Sequence, residues 1–174
     1  MAERLHLRLS DHRATFSLRI DFRGEFMCNG CISVPDIKKK IARHGWAVTA
    51  VAGSGHEHPD FAYTTGLTER SLPELIVYGL PLHLSGSLLN DMASQMVAGF
   101  GLTSGIMIHS ASGEEPDIVV IQVVTTSDMV VTDALYTNFT ALQLVWPDLD
   151  GHFPWEPQYS ICEHQQPLMG VGWV

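Results

Sequence analysis

The sequence predicts an α+β domain: one mostly antiparallel sheet or partly closed barrel with about three flanking helices. Three observations point there. Short β-branched and aromatic runs, bounded by Gly, Pro and polar turns, recur along the chain. Two segments carry apolar residues at helical spacing and end on glycine. Strands and helices follow one another without strict strand–helix–strand alternation, which argues against a purely parallel sheet. A chain of 174 residues, 45% apolar and 17% charged, suits one domain with a sizeable core.

The elements follow in order. Residues 4–9 and 14–22 alternate apolar and polar, as in Leu5, Leu7 and Leu9, then Phe16, Leu18, Ile20 and Phe22. That period of two predicts a hairpin or extended arm. Residues 1–26 differ in character from the rest, so they read as an extension, and 27–174 as the single α+β domain. Ser33 caps a helix, Pro35 suits its first turn, Ile37 and Ile41 share a face, and Gly45 follows its end. Residues 46–52 read as a strand, with β-branched Val48, Thr49 and Val51. Residues 53–59 form a Gly- and Pro-containing loop. Strands at 60–65 and 74–79 follow. Leu84, Leu88, Met92 and Met96 mark a helix over 84–98. Strands at 105–109 and 117–125 come next, and Ile118-Val119-Val120-Ile121 is apolar enough to be buried on both faces. Ser127 caps a third helix to about residue 139, and 141–146 is the last strand. The tail from Pro147 is rich in Pro and Trp.

Charge narrows the function classes. All ten Lys and Arg lie at or before Arg70, whereas eleven Asp and Glu lie beyond it. Nucleic-acid binding needs cationic side chains against phosphates, so no nucleic-acid partner is expected. No apolar run reaches the roughly 20 residues of a membrane helix, so no membrane partner is expected either. The first residues lack a basic-then-apolar leader, and three cysteines cannot all pair, so the cytoplasm is the expected compartment. The acidic second half also allows a different function class, an interaction or inhibitor protein that attracts a basic protein partner.

The densest chemistry lies between His44 and Pro81. His44, beside Gly45 and Trp46, reads either as a general base or as a cap on the first helix. Tyr63 and Thr65 share a strand face and offer hydroxyl groups, as does Tyr78 on the next strand; half-buried strands favour the same residue types. Asn90 falls within the second helix, and Trp155 in the tail can floor a pocket or cover the core. Glu74 stands at the mouth of a strand, with no second carboxylate spaced for acid–base work. Cys28-Asn29-Gly30-Cys31 has the spacing of two zinc ligands. Cys162 with His164, or His56 with His58, would have to complete that site. No phosphate-cradling loop, Gly-x-Ser-x-Gly elbow or His-Glu-x-x-His helix occurs.

Several motifs in order, Cys-x-x-Cys, His-Gly-Trp, Phe-Ala-Tyr-Thr-x-Gly-Leu, Pro-Glu-Leu, Leu-Leu-Asn-Asp, Leu-Gln-Leu-Val-Trp and Pro-Trp-Glu-Pro, carry a resemblance. Over about residues 27–170 the chain resembles the bacterial domain-of-unknown-function family 4262. The resemblance implies a bacterial or phage source and no particular activity. Cys162 and His164 lie outside the pattern. The leading expectation is a small-molecule pocket lined by His44, Tyr63, Thr65, Tyr78, Asn90 and Trp155, with a flavin-binding split barrel as one version. A zinc-stabilised module through Cys28 and Cys31 is another.

Overall fold

A computed structural model describes residues 15–18, 33–55, 58–109 and 116–170. Among these residues the frame is a sheet of seven strands. These are β1 (Thr15–Leu18), β2 (Ala47–Val51), β3 (Phe61–Thr65), β4 (Glu74–Tyr78), β5 (Met107–Ile108), β6 (Ile118–Gln122) and β7 (Ala141–Val145). Their spatial order is β1-β2-β3-β4-β7-β6-β5. β1 pairs with β2, and β4 with β7, in parallel. The other pairings are antiparallel. The α+β expectation holds, and the sheet is open, not closed into a barrel. The strand predicted near residue 16 joins the sheet edge alongside β2.

Among the described residues, three helices flank the sheet: α1 (Val34–His44), α2 (Leu82–Val97) and α3 (Val130–Leu135). α1 begins where the sequence predicts. The Ser33 hydroxyl accepts from the Asp36 N–H, Pro35 occupies the first turn, and Gly45 closes the end with φ 91°. α2 starts at Leu82, two residues before the predicted start, because Pro81 supplies the preceding extended residue. α3 is much shorter than predicted. Tyr136 turns to extended backbone directly after Leu135.

The two sheet faces have different covers. Val48, Ala50, Ala62, Leu75, Val77, Val120 and Leu144 pack with Leu89, Met92, Ala93 and Met96 of α2. The opposite face is shared by α1, α3 and the tail. Ile37 and Ile41 cover Ala47; Met129 joins Phe61, Tyr63, Ile76 and Tyr78; Phe153 covers Val119, Ile121 and Val145. Both faces are therefore apolar. That is why β2, β3, β4 and β7 are buried along their whole length.

Two buried glutamines and an aspartate fasten the tail. Gln143, in the middle of β7, donates to the Pro167 carbonyl at 2.8 Å and accepts from the Met169 N–H at 2.8 Å. Gln166 accepts from the Trp146 N–H and donates to the Trp146 carbonyl and the Tyr159 hydroxyl. Asp148 accepts from the N–H groups of Asp150, His152 and Ser160 and from the Ser160 hydroxyl. Burial raises the Asp148 pKa, but the hydrogen bonds from His152, Ser160 and Asp150 outweigh it and hold the carboxyl at about 2. A folded-state pKa below the unfolded one stabilises the fold above the unfolded value and ceases to do so as pH falls through the folded one. Stability should therefore drop between about pH 4 and pH 2. Asp148→Asn should flatten that part of a urea-denaturation series measured against pH; an unchanged slope would refute the assignment.

Candidate functional site

A cavity of about 150 Å³ opens where β2 ends, β3 begins and β4 ends, on the sheet face away from α2. Its walls are Val51, Ala52 and Gly53 after β2, His58, Pro59 and Phe61 leading into β3, Tyr78 of β4, Asp128 before α3, and Pro167 and Met169 of the tail. The β2–β3 connection folds back over itself here. The Gly53 N–H donates to Asp60 Oδ1 at 2.7 Å, and a Cβ on Gly53 would lie 2.0 Å from the His58 carbonyl oxygen. Only glycine allows that approach. The tail is brought in by Gln143, and by the Val124 N–H, which donates to the Met169 carbonyl at 2.8 Å.

The polar centre is a tyrosine–carboxylate pair. The Tyr78 hydroxyl donates to Asp128 Oδ2 at 2.7 Å. Burial, the hydrogen bond to Asp128 and that carboxylate's negative charge all push the Tyr78 pKa up, so the hydroxyl stays protonated. Phe61 stacks on Tyr78 with ring centroids 5.2 Å apart, and on Tyr63 at 6.2 Å. None of the described wall residues is Lys or Arg. The arrangement presents an aromatic wall and a carboxylate acceptor in a small, partly open space.

The predicted residues divide among different places. Tyr78 lines the cavity. Tyr63 lies one ring away, fully buried; its hydroxyl oxygen accepts from the Val131 N–H at 3.2 Å, and burial pushes its pKa up to about 12. Thr65 is used to dock α3. The Thr132 hydroxyl donates to the Thr64 carbonyl at 3.1 Å, so Thr65 is the donor in its 2.7 Å contact with Thr132. His44 is half-buried in the last turn of α1, at the start of β2, whereas the cavity is at the end of β2. Trp155 stacks on Phe153 at 5.2 Å and packs near β6 and β7.

Asn90 is on the wrong face for this cavity. It sits on α2, where Oδ1 accepts from Trp46 Nε1–H at 2.9 Å and Nδ2 donates to the Gly86 carbonyl at 2.8 Å. Asn90→Ala would leave the buried indole N–H without that acceptor. Urea denaturation should show a loss of about 1–3 kcal/mol, and a loss under ~0.5 kcal/mol would refute the structural role.

Glu74 is also structural: its carboxylate is fully buried and accepts hydrogen bonds from Thr64, Gly66 and Thr68. Cys28 and Cys31 lie outside the described residues, as does His56. Cys162 is exposed, with Sγ 3.4 Å from His164 Nδ1, beside a groove of about 390 Å³ lined in part by Tyr159, Glu163 and His164. Among the described residues, no three His, Cys, Asp or Glu gather as metal ligands. None of their helices is long and apolar enough to cross a membrane.

Sequence reasoning misses Asp128 and Met169. An aspartate just before a helix reads as a capping residue, and nothing local ties it to a tyrosine 50 residues earlier.

An open mixed sheet with this cavity at its strand ends is the setting for a family assignment. The family model "Domain of unknown function (DUF4262)" matches residues 40–160, most of the chain. The chain belongs to this family. The match is narrower than the motif resemblance suggests and leaves out Cys28 and Cys31. No curated protein and no solved structure matches the chain.

Proposed function

We propose that this is a small-molecule-binding domain and that the cavity at the ends of β2 and β4 is its site. The carrying observation is the Tyr78–Asp128 pair set beside the Phe61 ring in a cavity of about 150 Å³. Ligand sites characteristically combine a mostly apolar wall with a few placed polar groups. The volume suits a molecule of about six heavy atoms, since an engineered cavity of about 150 Å³ holds benzene. The Tyr78 proton is already given to Asp128, and Glu74 is enclosed by hydrogen bonds. The polar groups therefore support recognition better than proton transfer.

The test is a thermal-shift screen of small fragments against the wild-type protein and Ala52→Met, which adds bulk at the cavity wall. A fragment at ten times its Kd contributes about 1.4 kcal/mol, or roughly 3–6 °C in a domain of this size. Wild-type shifts that vanish in a folded Ala52→Met protein support the reading. Shifts of equal size in both proteins, or none in either, overturn it.

A further inference from the structure

We infer that the cavity takes a small organic cation, a compact alkylammonium group; this rests on the reading of the cavity as a ligand site. The balance of donors and acceptors on the walls decides the sign. Tyr78 gives its only hydroxyl proton to Asp128, so its oxygen can only accept from a ligand. The carboxylate of Asp128 can only accept. The Gly53 N–H is taken by Asp60, the His58 N–H by the Gly55 carbonyl, and the Met169 N–H by Gln143. Pro59 and Pro167 have no N–H to offer. The imidazole of His58 is exposed at the rim.

A ligand that reaches the Tyr78–Asp128 pair therefore has to bring its own donor. An anion would meet the Asp128 charge with no Lys or Arg among the described wall residues to offset it. A cation meets that carboxylate and two stacked rings, Phe61 and Tyr78, whose π systems attract positive charge. The sequence supports the same sign, because Tyr78, Asp128 and Met169 all come from the stretch beyond Arg70, which contains no Lys or Arg.

The experiment is calorimetric titration of the full chain with three probes of matched tert-butyl shape: tert-butylammonium, tert-butanol and pivalate. It is run on the wild-type protein, Asp128→Asn and Ala52→Met, each first checked for a cooperative thermal transition. The expected result is binding of tert-butylammonium, weaker tert-butanol binding and no pivalate binding. Asp128→Asn should weaken the ammonium by about tenfold or more and leave tert-butanol nearly unchanged. If tert-butanol or pivalate binds as well as the ammonium, or if Asp128→Asn leaves ammonium affinity intact, the cation inference fails while the cavity reading stands. If no probe binds, or if Ala52→Met leaves binding unaltered, both fail.

Discussion

Glu74→Ala is expected to cost about 3–5 kcal/mol of folding stability, a large fraction of the roughly 5–15 kcal/mol typical of a domain. Glu74 is fully buried at the start of β4. Oε2 accepts from the Thr64 hydroxyl at 2.6 Å. Oε1 accepts from the Gly66 N–H at 2.8 Å and from the Thr68 N–H and hydroxyl at 3.0 and 2.8 Å. Thr64 in turn accepts from the Leu75 N–H at 2.8 Å. One carboxylate thus joins β3, β4 and the 3-10 turn Leu67–Arg70. Gly66 has no side chain to cap that turn, and its φ of 123° and close approach to Ile41 leave no room for one. Removing the carboxylate leaves two buried donors, the Thr64 hydroxyl and the Gly66 N–H, and two half-buried ones on Thr68 without their acceptor, and each buried unsatisfied group is costly.

Glu74→Gln separates charge and shape from mere packing. The amide oxygen can keep the Gly66 and Thr68 donors, while its NH₂ faces the Thr64 hydroxyl, which must turn. The expected loss is about 1–2 kcal/mol. Urea denaturation with an unchanged m-value is the readout. Equal losses for Gln and Ala would mean that hydrogen bonding does not control the site.

The second large effect is expected for Gly79→Ala, at about 2–4 kcal/mol. Gly79 ends β4 with φ 77°, and its N–H donates to the Asp60 carbonyl at 2.8 Å. A Cβ there would lie 2.3 Å from the Gln165 carbonyl oxygen and 3.1 Å from the Trp146 ring. The added methyl must push the tail off the end of the sheet, where Trp146 Nε1–H donates to the Tyr78 carbonyl at 2.7 Å. Gly151→Ala is the control. Its φ of 88° carries the same backbone penalty, but no atom lies within 4 Å of the new Cβ. Thermal unfolding and limited proteolysis of the tail should both rank Gly79→Ala as the more damaging change. Equal effects would show that the Gln165 contact is unimportant.

Part of the candidate site is legible in the order of residues alone. Strand alternation puts Tyr63 and Thr65 on one face, and β3–β4 pairing, which sets Phe61 opposite Tyr78, carries Tyr78 to that face as well. Alternation does not say which element will take each hydroxyl. α3 takes Tyr63 and Thr65 through Val131 and Thr132, and only Tyr78 reaches the cavity. Asn90 is misplaced by sequence reasoning for a related reason. The spacing of Leu88, Met92 and Met96 marks an apolar stripe but does not say which sheet face the stripe will cover. α2 covers the face of Trp46, not that of Tyr78.

The sequence by itself determined the α+β class, the start of α1 at Ser33, the continuous burial of Ile118 to Ile121, and membership signalled by motifs between His44 and Trp146. These depend on neighbours a few residues apart, through capping, side-chain period and backbone freedom. Only the tertiary structure decided the insertion of β7 between β4 and β6, the early end of α3, and the meeting of Tyr78, Asp128 and Met169 at one cavity. Those outcomes depend on segments far apart in sequence. They are selected by which apolar faces can be buried together across the whole chain, a choice that no local pattern encodes.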